Sequence, residues 1–93
     1  MKVTKTADVD AALRTLDVDE RRKVISWFDH LGNWENDEHL REMARATIYK
    51  DTYFLNTSDD MRIFFTLSEA NREIVIMDLA KPSRLKIAGA ASE

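Results

Sequence analysis

Arg62 is the residue of this sequence with the clearest chemical potential, because it is a single cation within the largely apolar segment Met61–Leu67. A second apolar segment, Ile74–Leu79, follows after a short polar connection. Two such segments predict an antiparallel hairpin. A guanidinium that projects from a sheet suits recognition of phosphate or carboxylate, since its planar fork donates two hydrogen bonds at once. The alternative role for Arg62 is a surface ion pair with Asp78 or Asp60.

Strand alternation assigns the side chains of this hairpin to two faces. We expect the odd-numbered residues from Met61 to Leu67 to meet the helices, and Arg62, Phe64 and Thr66 to point away. The last strand divides in the same way into Val75, Met77 and Leu79 on one face and Ile74, Ile76 and Asp78 on the other. Both faces are apolar, so we expect a substrate, a partner chain or a second copy in a homodimer to cover the Arg62 face.

The first half of the chain has the pattern of a helical hairpin, Ala7–Leu31. Apolar residues recur at helical spacing in both halves of it: Val9, Ala12, Leu13 and Leu16, then Val24, Trp27, Phe28 and Leu31. Thr6 or Asp8 is a suitable cap for the first helix, and Asp17 for the second. Gly32 is expected to end the second helix in the left-handed conformation.

The second half predicts strands joined by polar turns. Residues 33–46 fit either a short helix or an irregular crossover, and Thr47–Asn56 favours a strand. A turn follows at Thr57–Asp60, Pro82 ends the last strand, and residues 88–93 are expected to be mobile. The predicted fold is therefore α+β, with a helical hairpin packed on a three- to four-stranded antiparallel sheet, in one domain that spans residues 1–87.

Composition excludes several kinds of site. The 93 residues include no cysteine and only two histidines, so we expect no disulfide, no metal site and no cofactor. The net charge of −3 is not that of a basic nucleic-acid binder. We expect no membrane span and no signal peptide, and hence a cytoplasmic protein.

The segment Leu40–Leu79 resembles the RelE/ParE toxin superfamily of bacterial toxin–antitoxin systems. The resemblance is carried by Tyr53-Phe54-Leu55, by Asp60-Met61-Arg62-Ile63-Phe64-Phe65 and by Glu73-Ile74-Val75-Ile76-Met77-Asp78-Leu79. The helical hairpin that precedes these strands fits the same layout. The resemblance implies the toxin of a type II system, with an antitoxin protein as its partner and translation as its target.

A ribosome-dependent mRNA endoribonuclease is the first activity that the resemblance implies, and it would need no metal. Arg62 would stabilise the scissile phosphate, with Lys81 and Arg84 as supporting cations. Lys50, Tyr53 and Phe64 are the expected substrate-binding residues, since an aromatic ring can stack on a base.

Two alternatives stay open. The first is a ParE-like inhibitor that binds DNA gyrase without catalysis, or a toxin homologue that has lost activity. It is favoured by the residues that stand where the resemblance implies lysines in a nuclease: Tyr53, Phe54, Leu55 and Asn56. The absence of a tyrosine after Pro82 points the same way. A small interaction module that dimerises through its sheet is the second alternative.

Overall fold

The structure is a computed structural model that describes residues 1–57 and 60–81. The fold begins with a short strand, which two helices follow. Helix α1 spans Ala7–Thr15 and helix α2 spans Val18–Leu31. The predicted caps are confirmed, because the Thr6 hydroxyl accepts from the backbone N–H of Val9 and the Asp17 carboxylate from that of Glu20. Arg21 then donates to the carbonyl oxygens of Leu13 and Leu16, which ties α2 to the end of α1.

A five-stranded mixed sheet forms the second layer. Its strands are β1 (Lys2–Lys5), β2 (Arg45–Ala46), β3 (Thr52–Asn56), β4 (Arg62–Ser68) and β5 (Glu73–Ala80), in the spatial order β1-β5-β4-β3-β2. The α+β class is confirmed, but the prediction of three or four antiparallel strands is wrong, since β1 pairs with β5 in parallel. Strand β1 escaped prediction because its four residues include two lysines and one large apolar side chain, Val3, which is too little for a periodic pattern.

The segment between the helices and the sheet contains a short helix, which decides one of the open alternatives. A 3-10 turn at Trp34–Asn36 precedes helix α3 (Glu38–Met43), which the Asp37 carboxylate caps at the N–H of Leu40. The prediction that Gly32 ends α2 is confirmed, but its φ of −60° is right-handed rather than left-handed. A Cβ at Gly32 would lie 3.1 Å from the carbonyl oxygen of Asp29. Glycine therefore suits this position because it has no side chain, and not because of its backbone conformation.

The core lies between the helices and the inner face of the sheet. Met61, Ile63, Phe65 and Leu67 are all buried, which confirms the inward face predicted for β4. The helices contribute most of the remaining buried side chains: Val9, Leu13, Val24, Phe28, Leu31, Trp34 and Leu40. Phe65 is fully buried and its ring meets that of Trp34 edge-on at 5.6 Å. Burial of one face therefore fixes the orientation of every side chain along β4.

A β-bulge changes the predicted faces of β5. Ile74 and Ile76 are buried and Leu79 packs against the same core, although strict alternation places Leu79 opposite them. The register shifts between Phe64 and Phe65, so that Met77 becomes the extra residue of the bulge and is 42% exposed. An inserted residue reverses the alternation that follows it, which is why Leu79 returns to the core side.

No helix within residues 1–57 and 60–81 is long and apolar enough to cross a membrane. The predicted end of the last strand at Pro82 and the expected mobility of residues 88–93 lie outside the described residues. The assignment of residues 1–87 to a single domain stays a prediction.

Replacing Phe65 by alanine tests the assignment of faces. We expect Phe65→Ala to lower the free energy of unfolding by about 3–5 kcal/mol, because it removes a fully buried ring and leaves a cavity. Phe64→Ala is the matched control on the outer face and should cost only about 1 kcal/mol, the contribution of one aromatic pair. Urea denaturation at neutral pH measures both, and equal losses would contradict the assignment.

Candidate functional site

Arg62 begins strand β4 and projects from the face of the sheet that the helices leave uncovered. We call this face, on strands β2 to β5, the open face. In register, Arg62 pairs with Asn56 of β3, and its Nε donates to the Asn56 side-chain oxygen at 2.8 Å. The hydrogen bond fixes the Nε edge of the guanidinium.

An aromatic ring supports the guanidinium from one side. The Arg62 Cζ lies 4.7 Å from the centroid of the Phe54 ring, within cation–π distance. Phe54 in turn contacts Phe64, its cross-strand partner, with ring centroids 5.9 Å apart. Arg62 therefore lies at the edge of a half-buried aromatic pair whose outer surfaces are accessible.

No carboxylate of residues 1–57 or 60–81 lies within ion-pair distance of the Arg62 guanidinium. The alternative pairing with Asp78 is not formed, since the Asp78 carboxylate accepts instead from the backbone N–H of Leu79 at 2.8 Å. Within residues 1–57 and 60–81, the two terminal nitrogens of Arg62 donate no hydrogen bond, so both can reach a ligand. Such a fork can donate two parallel hydrogen bonds to a phosphate or carboxylate.

Tyr53 does not join Arg62, because it faces the core. Its ring stacks on Phe65 at 5.9 Å and an interplanar angle of 24°, and it also approaches Trp34 at 6.3 Å. The register explains this placement: Tyr53 pairs with inward-facing Phe65, whereas its neighbour Phe54 pairs with outward-facing Phe64. The contacts of Tyr53 are those of a packing residue rather than of one that binds a substrate on the open face.

Lys81 also lies away from Arg62, on the helix side of the sheet. Its Nζ forms an ion pair with the Glu20 carboxylate at 2.8 Å, which connects the end of β5 to the start of α2. The backbone N–H of Glu20 lowers the pKa of the neighbouring Asp17 carboxyl, and the positive charge of Lys81 lowers this pKa further. The structure therefore gives Lys81 a role in joining two elements.

Lys50 is not brought to Arg62 either. Lys50 is exposed in the turn before Thr52, whereas Arg62 pairs with Asn56 at the opposite end of β3. These two ends are about 13 Å apart along the strand. Arg84 lies outside the described residues. Of the six predicted site residues, the structure brings together Arg62 and Phe64 on the open face.

Sequence reasoning missed Phe54 and Asn56, which hold Arg62 in place. The signal that could have found them is the alternation along β3. If Tyr53 faces inward, Phe54 and Asn56 must both face outward, on the same side as Arg62. The residue type of Tyr53 suggests base stacking, whereas the register of β3 turns its ring toward the core.

A groove between α2 and α3 lies on the other side of the molecule. It has a volume of about 360 Å³ and is lined by Trp27, His30, Asp37, His39, Leu40 and Met43. Within residues 1–57 and 60–81, no three histidine, aspartate or glutamate side chains are grouped so that they could hold a metal ion. The groove has no arranged set of polar groups comparable to Arg62, Asn56 and Phe54, so the open face is the better candidate site.

Comparison with protein-family models, with curated proteins and with solved structures finds no match to the chain. The resemblance to the RelE/ParE superfamily therefore rests on residues and on element order, in which a pair of helices precedes an antiparallel meander. The geometry of Arg62 and its neighbours is therefore the basis for a proposed function.

A double-mutant cycle tests the role of Lys81. We expect Lys81→Ala and Glu20→Gln each to lower the free energy of unfolding modestly, with a coupling energy of about 0.5–1 kcal/mol, because the pair is partly shielded from water. Urea denaturation of the wild type, both single variants and the double variant gives the coupling. A coupling energy of zero would show that Lys81 is not held by Glu20.

Proposed function

We propose that this protein is a toxin of the RelE/ParE type that inhibits translation by cutting mRNA at the ribosome, with Arg62 as the residue that contacts the scissile phosphate. The observation that supports this proposal best is the arrangement of Arg62. Its guanidinium is fixed by Asn56 and Phe54 and keeps its terminal nitrogens available on an uncovered face. A cation held in advance of binding stabilises developing negative charge without a cost of reorganisation.

The reaction that this arrangement suits is an internal transesterification of RNA. The 2′-hydroxyl oxygen forms a bond to the adjacent phosphorus and the bond from phosphorus to the 5′-oxygen breaks. The proton of the 2′-hydroxyl passes to solvent or to a base, and the departing 5′-oxygen takes up a proton from solvent. The products are a cyclic phosphate and a 5′-hydroxyl end. Arg62 would donate to the non-bridging oxygens, whose negative charge grows as the new bond forms.

Phe54 and Phe64 would hold the RNA by stacking. Half-buried rings on a sheet face bind unpaired bases without regard to their identity, because every base has a π-face. Each stacked base contributes about 1–3 kcal/mol in proteins of this kind. The net charge of −3 makes long-range attraction of RNA weak, so binding would depend on these local contacts and on the ribosome.

The same open face is where an antitoxin protein would bind. Val75 is half-buried there and Met77 of the bulge is exposed, so apolar surface extends beyond the aromatic pair onto β5. An antitoxin segment that covered Phe54, Phe64 and Met77 would block Arg62 directly. The proposed setting, with the ribosome and mRNA, is the cytoplasm.

A ParE-like inhibitor of DNA gyrase is the second candidate, and one observation favours it. Tyr53 and Lys81 are engaged elsewhere in the fold, and Lys50 lies at the far end of β3. Arg62 is thus separated from three of the groups that were expected to complete a nuclease site. A surface with one cation and an aromatic pair also suits a protein partner.

Inducible expression in a bacterial host tests the proposal. We expect the wild-type protein to arrest growth and to produce mRNA cuts at fixed codon positions. Arg62→Ala should reduce cutting by about 10²–10³-fold, the usual effect of losing one group that stabilises transition-state charge. Arg22→Ala is the matched control, since it removes the same charge from an exposed site on α2.

Growth and mRNA integrity are followed together, so that the candidates are separated. Arrest with intact mRNA and damaged DNA would contradict the nuclease and support the gyrase inhibitor. Normal growth with the wild type expressed alone would contradict both. Equal cutting by the wild type and Arg62→Ala would remove Arg62 from the reaction.

A further inference from the structure

A second arginine, Arg45, lies on the open face. Strand β2 pairs with β3 so that Arg45 is directly opposite Phe54, while Ala46 is opposite inward-facing Tyr53. Arg45 is exposed, and within the described part of the chain its side chain has no ion-pair partner. Phe54 therefore has one arginine beside it on β2 and another over its ring from β4.

The separation of the two arginines follows from the register. Arg45 lies at the level of Phe54 and Phe64, and Arg62 lies at the level of Asn56, two residues further along β3. With neighbouring strands about 4.8 Å apart and a rise of about 3.3 Å per residue, their Cα atoms are about 12 Å apart. Because both side chains are long, their guanidinium groups can come closer together than the Cα atoms. They can reach the separation of the two phosphates that flank one nucleotide.

Charge is unevenly distributed across the open face. The arginines lie on β2 and β4, on either side of β3, whereas β5 carries Glu73 and Asp78 on the same face. An RNA backbone that ran along β5 would meet both carboxylates. A chain that crosses β2, β3 and β4 meets Arg45, Phe54 and Arg62 in turn, so the charge pattern favours that path.

We propose that Arg45 is a second phosphate-binding residue of this site, and that a single RNA strand crosses the sheet from β2 to β4 with one base stacked on Phe54. Arg45 and Arg62 then contact the phosphates on either side of that nucleotide. This inference rests on the proposed function, since it takes RNA as the ligand. It adds the direction in which the strand runs and a residue that sequence reasoning did not single out.

The salt dependence of RNA binding tests the proposal with the full chain and a short single-stranded oligouridylate as the probe. Each phosphate contact on a single strand contributes about −0.7 to the slope of log affinity against log salt concentration. We expect Arg45→Ala and Arg62→Ala each to make the slope less negative by about 0.7. Arg45→Lys keeps the charge and should retain the wild-type slope.

Arg22→Ala is the control, because it changes the net charge equally from the helix side and should leave the slope unchanged. If Arg45→Ala behaves like Arg22→Ala while Arg62→Ala makes the slope less negative, the role of Arg45 is overturned and the proposed function stands. If the wild type does not bind the oligonucleotide at low salt, the path of RNA across the open face is overturned, while the mRNA-cutting assay in the bacterial host still decides the proposed function. Circular dichroism of each variant verifies folding, which exposed positions should not affect.

Discussion

Burial of one face of β4 is the constraint on which the rest of this structure depends. Ile63, Phe65 and Leu67 fill the space under the helices, and an alternating strand cannot bury them without exposing Arg62 and Phe64 on the other side. A slip of one residue would bring the Arg62 guanidinium into the core, at a cost of several kcal/mol. The energy that stabilises the fold is thus the same energy that fixes the position of the candidate site.

The features that could be predicted are those with a periodic or local signal. The apolar spacing of α1 and α2, the caps Thr6 and Asp17, and the inward face of β4 each depend on residues close together in sequence, and each is confirmed. Strand β1 depends on the free edge of β5, which is more than sixty residues away, and its own four residues carry no pattern. The bulge at Met77 likewise has no sequence signal, because it depends on the packing of Leu79 against the core.

Arg62, the central residue of the candidate site, could be predicted from the sequence, whereas the residues around it could not. Arg62 stands out because it interrupts an apolar strand, but its neighbours depend on the register between strands. The pairing of Phe54 with Phe64 and of Asn56 with Arg62 decides which side chains share its face. The residue types of Tyr53 and Lys81 predict a place in the site, but the register of β3 and the ion pair with Glu20 place both side chains on the helix side.

The central claim, that the open face around Arg62 binds RNA, is tested most directly by nuclear magnetic resonance of the isotopically labelled protein during titration with single-stranded RNA. We predict that the Nε–H signal of Arg62 and the backbone amides of β3 and β4 shift with a common affinity, while those of α2 and α3 stay in place. Shifts confined to the groove between α2 and α3, with the Arg62 signal unchanged, would contradict the account.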